Sequence, residues 1–201
     1  MEQLSDTKQR ILDVSLKLFS QNGYSATSVR EIARNVGVRE SAIYNHFRGK
    51  DDIIETLFNI YGWGKAQRYI DKLKDDNKLL DDPKNYFKSI ILDGILDIVC
   101  NEEGNKFKKV VMMEMFCTDT ARNIVNKELF SKAREYLSEI FNEMMSAGVI
   151  KRCNPFTLSN QFLAPLMFIN LEYLLNEKKG VNYFKKEIEA HIDFFWQTVS
   201  L

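Results

Sequence analysis

The chain has 201 residues, 45% of them hydrophobic, enough to bury a full core without disulfide or metal staples. Its 28 basic and 28 acidic residues cancel, a balance that, taken as a whole, argues against a nucleic-acid binder. The balance is uneven along the chain: residues 1–50 hold eight Lys or Arg against five Asp or Glu, a net +3, and the remainder carries −3.

The first predicted element is a helix in which Ile11, Val14, Ser15, Leu18 and Phe19 share one face, stopped by Asn22 and Gly23. Thr27 and Ser28 offer cap oxygens, and Ser28 with Glu31 makes a capping box. They open a two-turn helix with Val29, Ile32 and Ala33 inward, ended by Gly37. A third short helix spans 39–47 with Ala42, Ile43 and Phe47 inward, and Gly49 breaks it ahead of Asp51 and Asp52.

A long helix over 50–75 should carry Ile53, Leu57, Ile60, Trp63 and Ile70. The polar stretch DDNKLLDDP separates it from a helix over 84–101, in which Pro83 suits the first turn, and residues 101–104 read as a loop. Helices then follow over 106–116 and from a Thr118 or Asp119 cap to Ala147, closed by Gly148. Two long ones remain, from after Pro155 to near Asn176, bent by Pro165, and from near Asn182 to Val199. No strand pattern appears, so the expected fold is all-α with about nine helices: a helix-turn-helix domain over 1–50 and a larger helical domain over 51–201.

Two short helices crossing at a glycine turn and braced by a preceding helix form a helix-turn-helix, whose second helix enters the DNA major groove. Residues 11–53 resemble the N-terminal domain of the tetracycline-repressor (TetR) family of transcriptional regulators. The resemblance rests on Leu18-Phe19 followed by Gly23-Tyr24, Thr27 ahead of Ile32-Ala33, Gly37-Val38, Tyr44-x-His46-Phe47, and Lys50. It implies a homodimeric repressor of a pseudo-palindromic operator, released when a small molecule enters the C-terminal domain. The alternative is a DNA-binding dimer regulated by a protein partner, with no small-molecule pocket.

The residues can be weighed on their own chemistry. Tyr44 and His46, about 200° apart around a helix, suit phosphates on either side of a groove. Thr27 or Ser28, with the free N–H groups at the start of the second helix, would form an anion site, and Lys50 would add a charge to it. Arg39 stands where the family often has a serine cap. It could fork onto guanine N7 and O6, while Glu40 could accept from a cytosine amine or from Arg39 itself. Ser41, Ala42 and Asn45 are the other base-contact candidates.

Further on, Gly62 and Gly64 around Trp63 suggest a bend linking the two domains. Trp63, Met112, Met113, Phe116 and Phe168 are candidates to line an adaptable apolar pocket; Glu114 and Glu172, among apolar neighbours, could pair with a cationic ligand, but the favoured reading is an outward, solvated carboxylate. Stripes of Leu163, Met167, Leu171 and Leu174, and of Phe184, Ile188, Ile192 and Phe195, suggest a four-helix dimer interface. Three separated cysteines and two distant histidines offer no metal or cofactor site, and neither a phosphate loop nor an activated nucleophile points to an enzyme. With no apolar run of the roughly 18 to 20 residues needed to span a membrane, and no apolar leader, a cytoplasmic protein is expected.

Overall fold

The computed structural model describes residues 6–62, 65, 67–69, 71–72, 81–99 and 101–201. Among the described residues ten α-helices follow in order: α1 (Asp6–Asn22), α2 (Val29–Val36), α3 (Glu40–Tyr44), α4 (Lys50–Tyr61), α5 (Pro83–Val99), α6 (Glu102–Glu114), α7 (Asp119–Ile124), α8 (Ala133–Ser146), α9 (Pro155–Leu175) and α10 (Gly180–Val199). The only strand-like pairing among the described residues is one isolated bridge, Ile150 to Ser200. The all-α expectation holds.

Capping explains where several helices start. Ser28 Oγ accepts the Glu31 N–H, Thr118 the Ala121 N–H, and Asn154 the Thr157 N–H ahead of Pro155 at the first helical position. The expected loop over 101–104 is instead the opening of α6. Glu102 and Glu103 sit in its first turn, where the helix dipole favours them, and Lys106 bonds both carboxylates at 2.9 and 3.0 Å. The single helix expected over 119–147 is divided by a π-helical stretch, Val125–Lys132. Helix α4 ends at Tyr61, where the Gly62 N–H bonds Phe58 O. A Cβ at Gly62 would stand 2.7 Å from that same carbonyl oxygen, so the close approach requires glycine there. Trp63, Gly64 and Ile70 lie outside the described residues, and the expected bend falls with them.

The chain packs as two compact units. The first, residues 1–64 with 102–127, buries Ile11, Leu12, Leu16 and Phe19 of α1 with Ile32, Val36, Ile43, Phe47, Ile53 and Leu57. Phe107 of α6 stands edge-on to Phe58, centroids 4.7 Å apart. The second unit, residues 65–101 with 128–201, is built around Phe87, Phe141, Phe162 and Phe195, whose rings meet at 4.9 to 6.0 Å. Each such edge or tilted contact adds roughly 0.5–1.5 kcal/mol to the burial itself. Packing therefore groups α4 and α6 with the N-terminal helices, a different division from the expected boundary at 50/51.

Candidate nucleic-acid interface

Helix α3 is five residues long, too short to stand alone, so its position is set by what surrounds it. Gly37 adopts φ 81°, and its N–H reaches Ala33 O and Arg34 O while Val38 N–H also reaches Ala33 O. This left-handed turn ends α2 and swings the chain across it. From α1, the Arg10 guanidinium donates to the Val36 carbonyl at 2.6 Å, pinning the last turn of α2. Ile43 and Phe47 are fully buried beneath, and the His46 and Phe47 N–H groups close on Ile43 O.

What α3 turns outward is a row of polar and aromatic side chains. Arg39, Glu40, Ser41 and Asn45 are exposed, Tyr44 is 53% exposed, and Ala42 and His46 are half-buried. Arg39 makes no side-chain cap bond, as its identity led one to expect. Its guanidinium and the Glu40 carboxylate form no ion pair with each other, so both remain available.

Two expected contacts are corrected. Thr27 is only 1% exposed, and its hydroxyl donates to Gly23 O at 2.8 Å, so it braces the turn rather than facing a phosphate. Lys50 does not project freely. Its Nζ donates to Tyr24 O at 2.7 Å and Thr27 O at 2.9 Å and lies 4.2 Å from the Tyr24 ring centroid. Burial holds its pKa below the usual lysine value. Ser28 stays exposed at the start of α2, and it alone of the proposed anion site faces solvent there. Arg10 and Glu114 brace this region; the sequence pattern gave Arg10 no role and favoured a solvated carboxylate at Glu114, the opposite of its buried place here.

The helix α2–turn–α3 geometry is what the sequence resemblance requires. The sequence profile described as bacterial regulatory proteins of the tetR family matches residues 11–57, the same span that builds the N-terminal core. Residues 11–57 carry the N-terminal domain of the TetR family. Among its TetR-family relatives, the transcriptional regulator AcrR of Shigella flexneri is 32% identical over 112 residues, covering 55% of this chain. That match spans only half, 50%, of AcrR's own length. The nucleoid occlusion factor SlmA of Vibrio campbellii is 24% identical over 199 residues, 98% of this chain and 95% of that one. The fold matches a triclosan complex of SmeT, the Stenotrophomonas maltophilia efflux-pump repressor, with TM-score 0.83 at 14% identity, covering 97% of this chain and 92% of that one.

The pocket candidates are divided between the two units. Met113 and Phe116 are 50% and 77% exposed at the end of α6, and Met112 is half-buried. Phe168 is 70% exposed on α9, in the other unit, and Trp63 lies outside the described residues. Glu114, expected to be solvated, is buried, and Glu172 pairs with Lys179 at 2.5 Å. Two small clefts do exist, each with room of about 10 Å³, roughly the space of one water. One, in the second unit, is lined by Ile95, Leu166, Ile169, Asn170, Tyr173, Phe184 and Ile188.

The dimer stripe is corrected on α10. Phe184, Ile188, Ile192 and Phe195 are 0 to 4% exposed, because they form the unit's own core with α9. On α9, Leu163 and Leu174 are half-buried, while Met167 and Leu171 do face out, joined by Phe168 and Leu175. On α10 the outward aromatic is Phe194, 67% exposed. His191 sits half-buried with a ring nitrogen 2.9 Å from Phe162 O, and burial lowers its pKa. Among the described residues no cluster of metal-ligating side chains occurs, and no helix is long and apolar enough to cross a membrane.

Proposed function

We propose that this chain is a cytoplasmic transcriptional repressor that binds a pseudo-palindromic DNA operator as a homodimer and is released by a small-molecule effector. The carrying observation is α3: its scaffold is fully buried and pinned, while Arg39, Glu40, Ser41, Tyr44 and Asn45 point outward with no packing duty. In that role Arg39 reads a guanine edge, and Glu40, Ser41, Ala42 and Asn45 complete the base contacts. Tyr44, His46 and Ser28 take phosphates. Residues 1–50 do the reading, and 51–201 supply dimerisation and the effector response.

Support for the dimer comes from Met167, Phe168, Leu171 and Leu175, an outward stripe on α9 at helical spacing, together with Phe194 on α10. So much exposed apolar side chain is costly in a monomer and suits a symmetric four-helix contact. Support for an effector comes from the SmeT fold, a relative whose complex contains triclosan. The small cleft of the second unit, with Asn170 and Tyr173 among aliphatic side chains, is the place an apolar effector would open. Releasing DNA a hundredfold requires that the effector prefer the released form by about 2.7 kcal/mol.

Selection from a random DNA pool tests the reading. The expected product is a two-fold symmetric site whose half-sites lie one helical turn, ~34 to 36 Å, apart. Recovery of no enriched sequence, with binding that tracks only duplex length, would refute it.

A further inference from the structure

The six residues between α1 and α2, 23–28, lead directly into the start of α2, and their polar backbone groups need partners. Two are supplied internally: Thr27 N–H reaches Tyr24 O, and the Thr27 hydroxyl reaches Gly23 O. Further partners come from distant helices. Lys50 of α4 donates to the Tyr24 and Thr27 carbonyls, and the Asp51 carboxylate accepts from the Tyr24 hydroxyl. From α6, Glu114 Oε1 accepts the Tyr24 N–H at 2.9 Å and Oε2 accepts the Ser25 hydroxyl at 3.0 Å.

Glu114 is out of place by every local criterion. It is the last residue of α6, where a helix disfavours negative charge, and it is 6% exposed, where a carboxylate is expensive. Its neighbours Phe107 and Val110 are plain core. What it gains is a fork in which each oxygen takes one donor from the turn. The family's DNA-binding region, residues 11–57, contains none of α6, so the reading head borrows this fork from elsewhere in the chain.

We infer that Glu114 is a positioning residue for DNA binding: its carboxylate fork holds the 23–28 turn, and with it the phosphate-facing start of α2, in the DNA-competent form. The inference rests on the DNA-binding reading above. Without the fork, the competent arrangement is only a fraction of the population, and apparent DNA affinity falls by that fraction for every sequence alike.

The test uses the full chain, a selected operator duplex and an unrelated duplex, with affinity read by fluorescence anisotropy and the Tyr24 amide by hydrogen exchange. Glu114→Ala should weaken both duplexes by the same factor, about tenfold, leave the selected sequence logo unchanged and expose the Tyr24 amide to exchange. Glu114→Gln can still accept from Tyr24 N–H and can donate to Ser25 Oγ, so it should stay within about twofold of the parent. Ser25→Ala, at an exposed position, should lose about threefold, and it carries the test should the alanine variant at 114 not fold. A folded Glu114→Ala protein with parental affinity and a protected Tyr24 amide overturns the inference, as does parental affinity in Ser25→Ala. Equal losses in the Gln and Ala variants with Tyr24 still protected also overturn it, since a general loss of stability would then be the cause. A parent that binds neither duplex instead overturns the DNA-binding reading itself.

Discussion

The two packed units are held together by different means. In the second, aromatic rings from α5, α8, α9 and α10 fill one core, and position follows from volume. In the first, a mixed aliphatic and aromatic core is supplemented by charged side chains that reach across to backbone: Arg10 to Val36, Lys50 to Tyr24 and Thr27, Glu114 to Tyr24. The difference follows from element size. Long helices offer enough apolar surface to locate themselves, whereas α2 and α3, eight and five residues long, do not. A short element that must present its outer face at a fixed angle needs directional bonds at its ends.

Five experiments would break or sharpen that contrast. The largest effect is expected where the second unit turns outward: Phe168→Glu with Leu171→Glu should yield monomers by sedimentation and cost operator affinity roughly a hundredfold or more, since one half-site is lost. A monomer that binds as tightly as the parent would remove the argument for a dimer. Within the aromatic core, Phe162→Ala should lower unfolding free energy by about 3–5 kcal/mol in urea titration, because its ring is 1% exposed and touches three other phenylalanines.

In the first unit, two basic residues should separate cleanly. Arg39→Ala should cost about 1–3 kcal/mol on the operator and relax preference at one base pair per half-site, with the fold unaffected. Lys50→Ala should do the reverse. It should lower thermal stability while leaving the slope of log affinity against log salt nearly unchanged, because its ammonium serves carbonyls and not phosphate. A slope flattened by about one unit would return Lys50 to the phosphate.

The smallest effect concerns the salt bridge of Asp193 with Lys88 and Lys84, at 2.8 and 3.2 Å. The hydrogen bond from Lys88, then that from Lys84, holds the Asp193 carboxyl below its usual 3.8. Folding therefore favours the ionised form. The contribution is complete above the unfolded value and disappears as pH falls through the lower folded one. As these side chains are partly exposed, Asp193→Asn should cost less than about 1 kcal/mol at neutral pH. It should also flatten the acid limb of stability against pH; an unaltered limb would show that the bridge contributes nothing.

Much of this was legible in the sequence. Caps and glycines act over three or four residues, so the Ser28 capping box, the Gly37 turn and the exposed Arg39 could be read directly. The failures share a cause, which is that periodicity shows a face but not what covers it. Phe184, Ile188, Ile192 and Phe195 form a proper stripe, yet α9 of the same chain covers it. Met113 and Phe116 resemble pocket residues in composition but lie at the open end of α6. Glu114 was unreadable because its partners, Tyr24 and Ser25, are about 90 positions away. Nothing local distinguishes a carboxylate with distant donors from one in water.

The economy of α3 bears on how such a protein changes over generations. Only Ile43 of its five residues is buried, and the side chains that face outward contribute nothing to the core. Replacing Glu40 or Ser41 therefore leaves folding almost untouched while, in the proposed DNA-reading role, altering which bases are met. A gene copy could acquire a new set of target promoters by a few point changes without passing through an unstable ancestor, and the same positions are where a laboratory library should be randomised to retarget the protein.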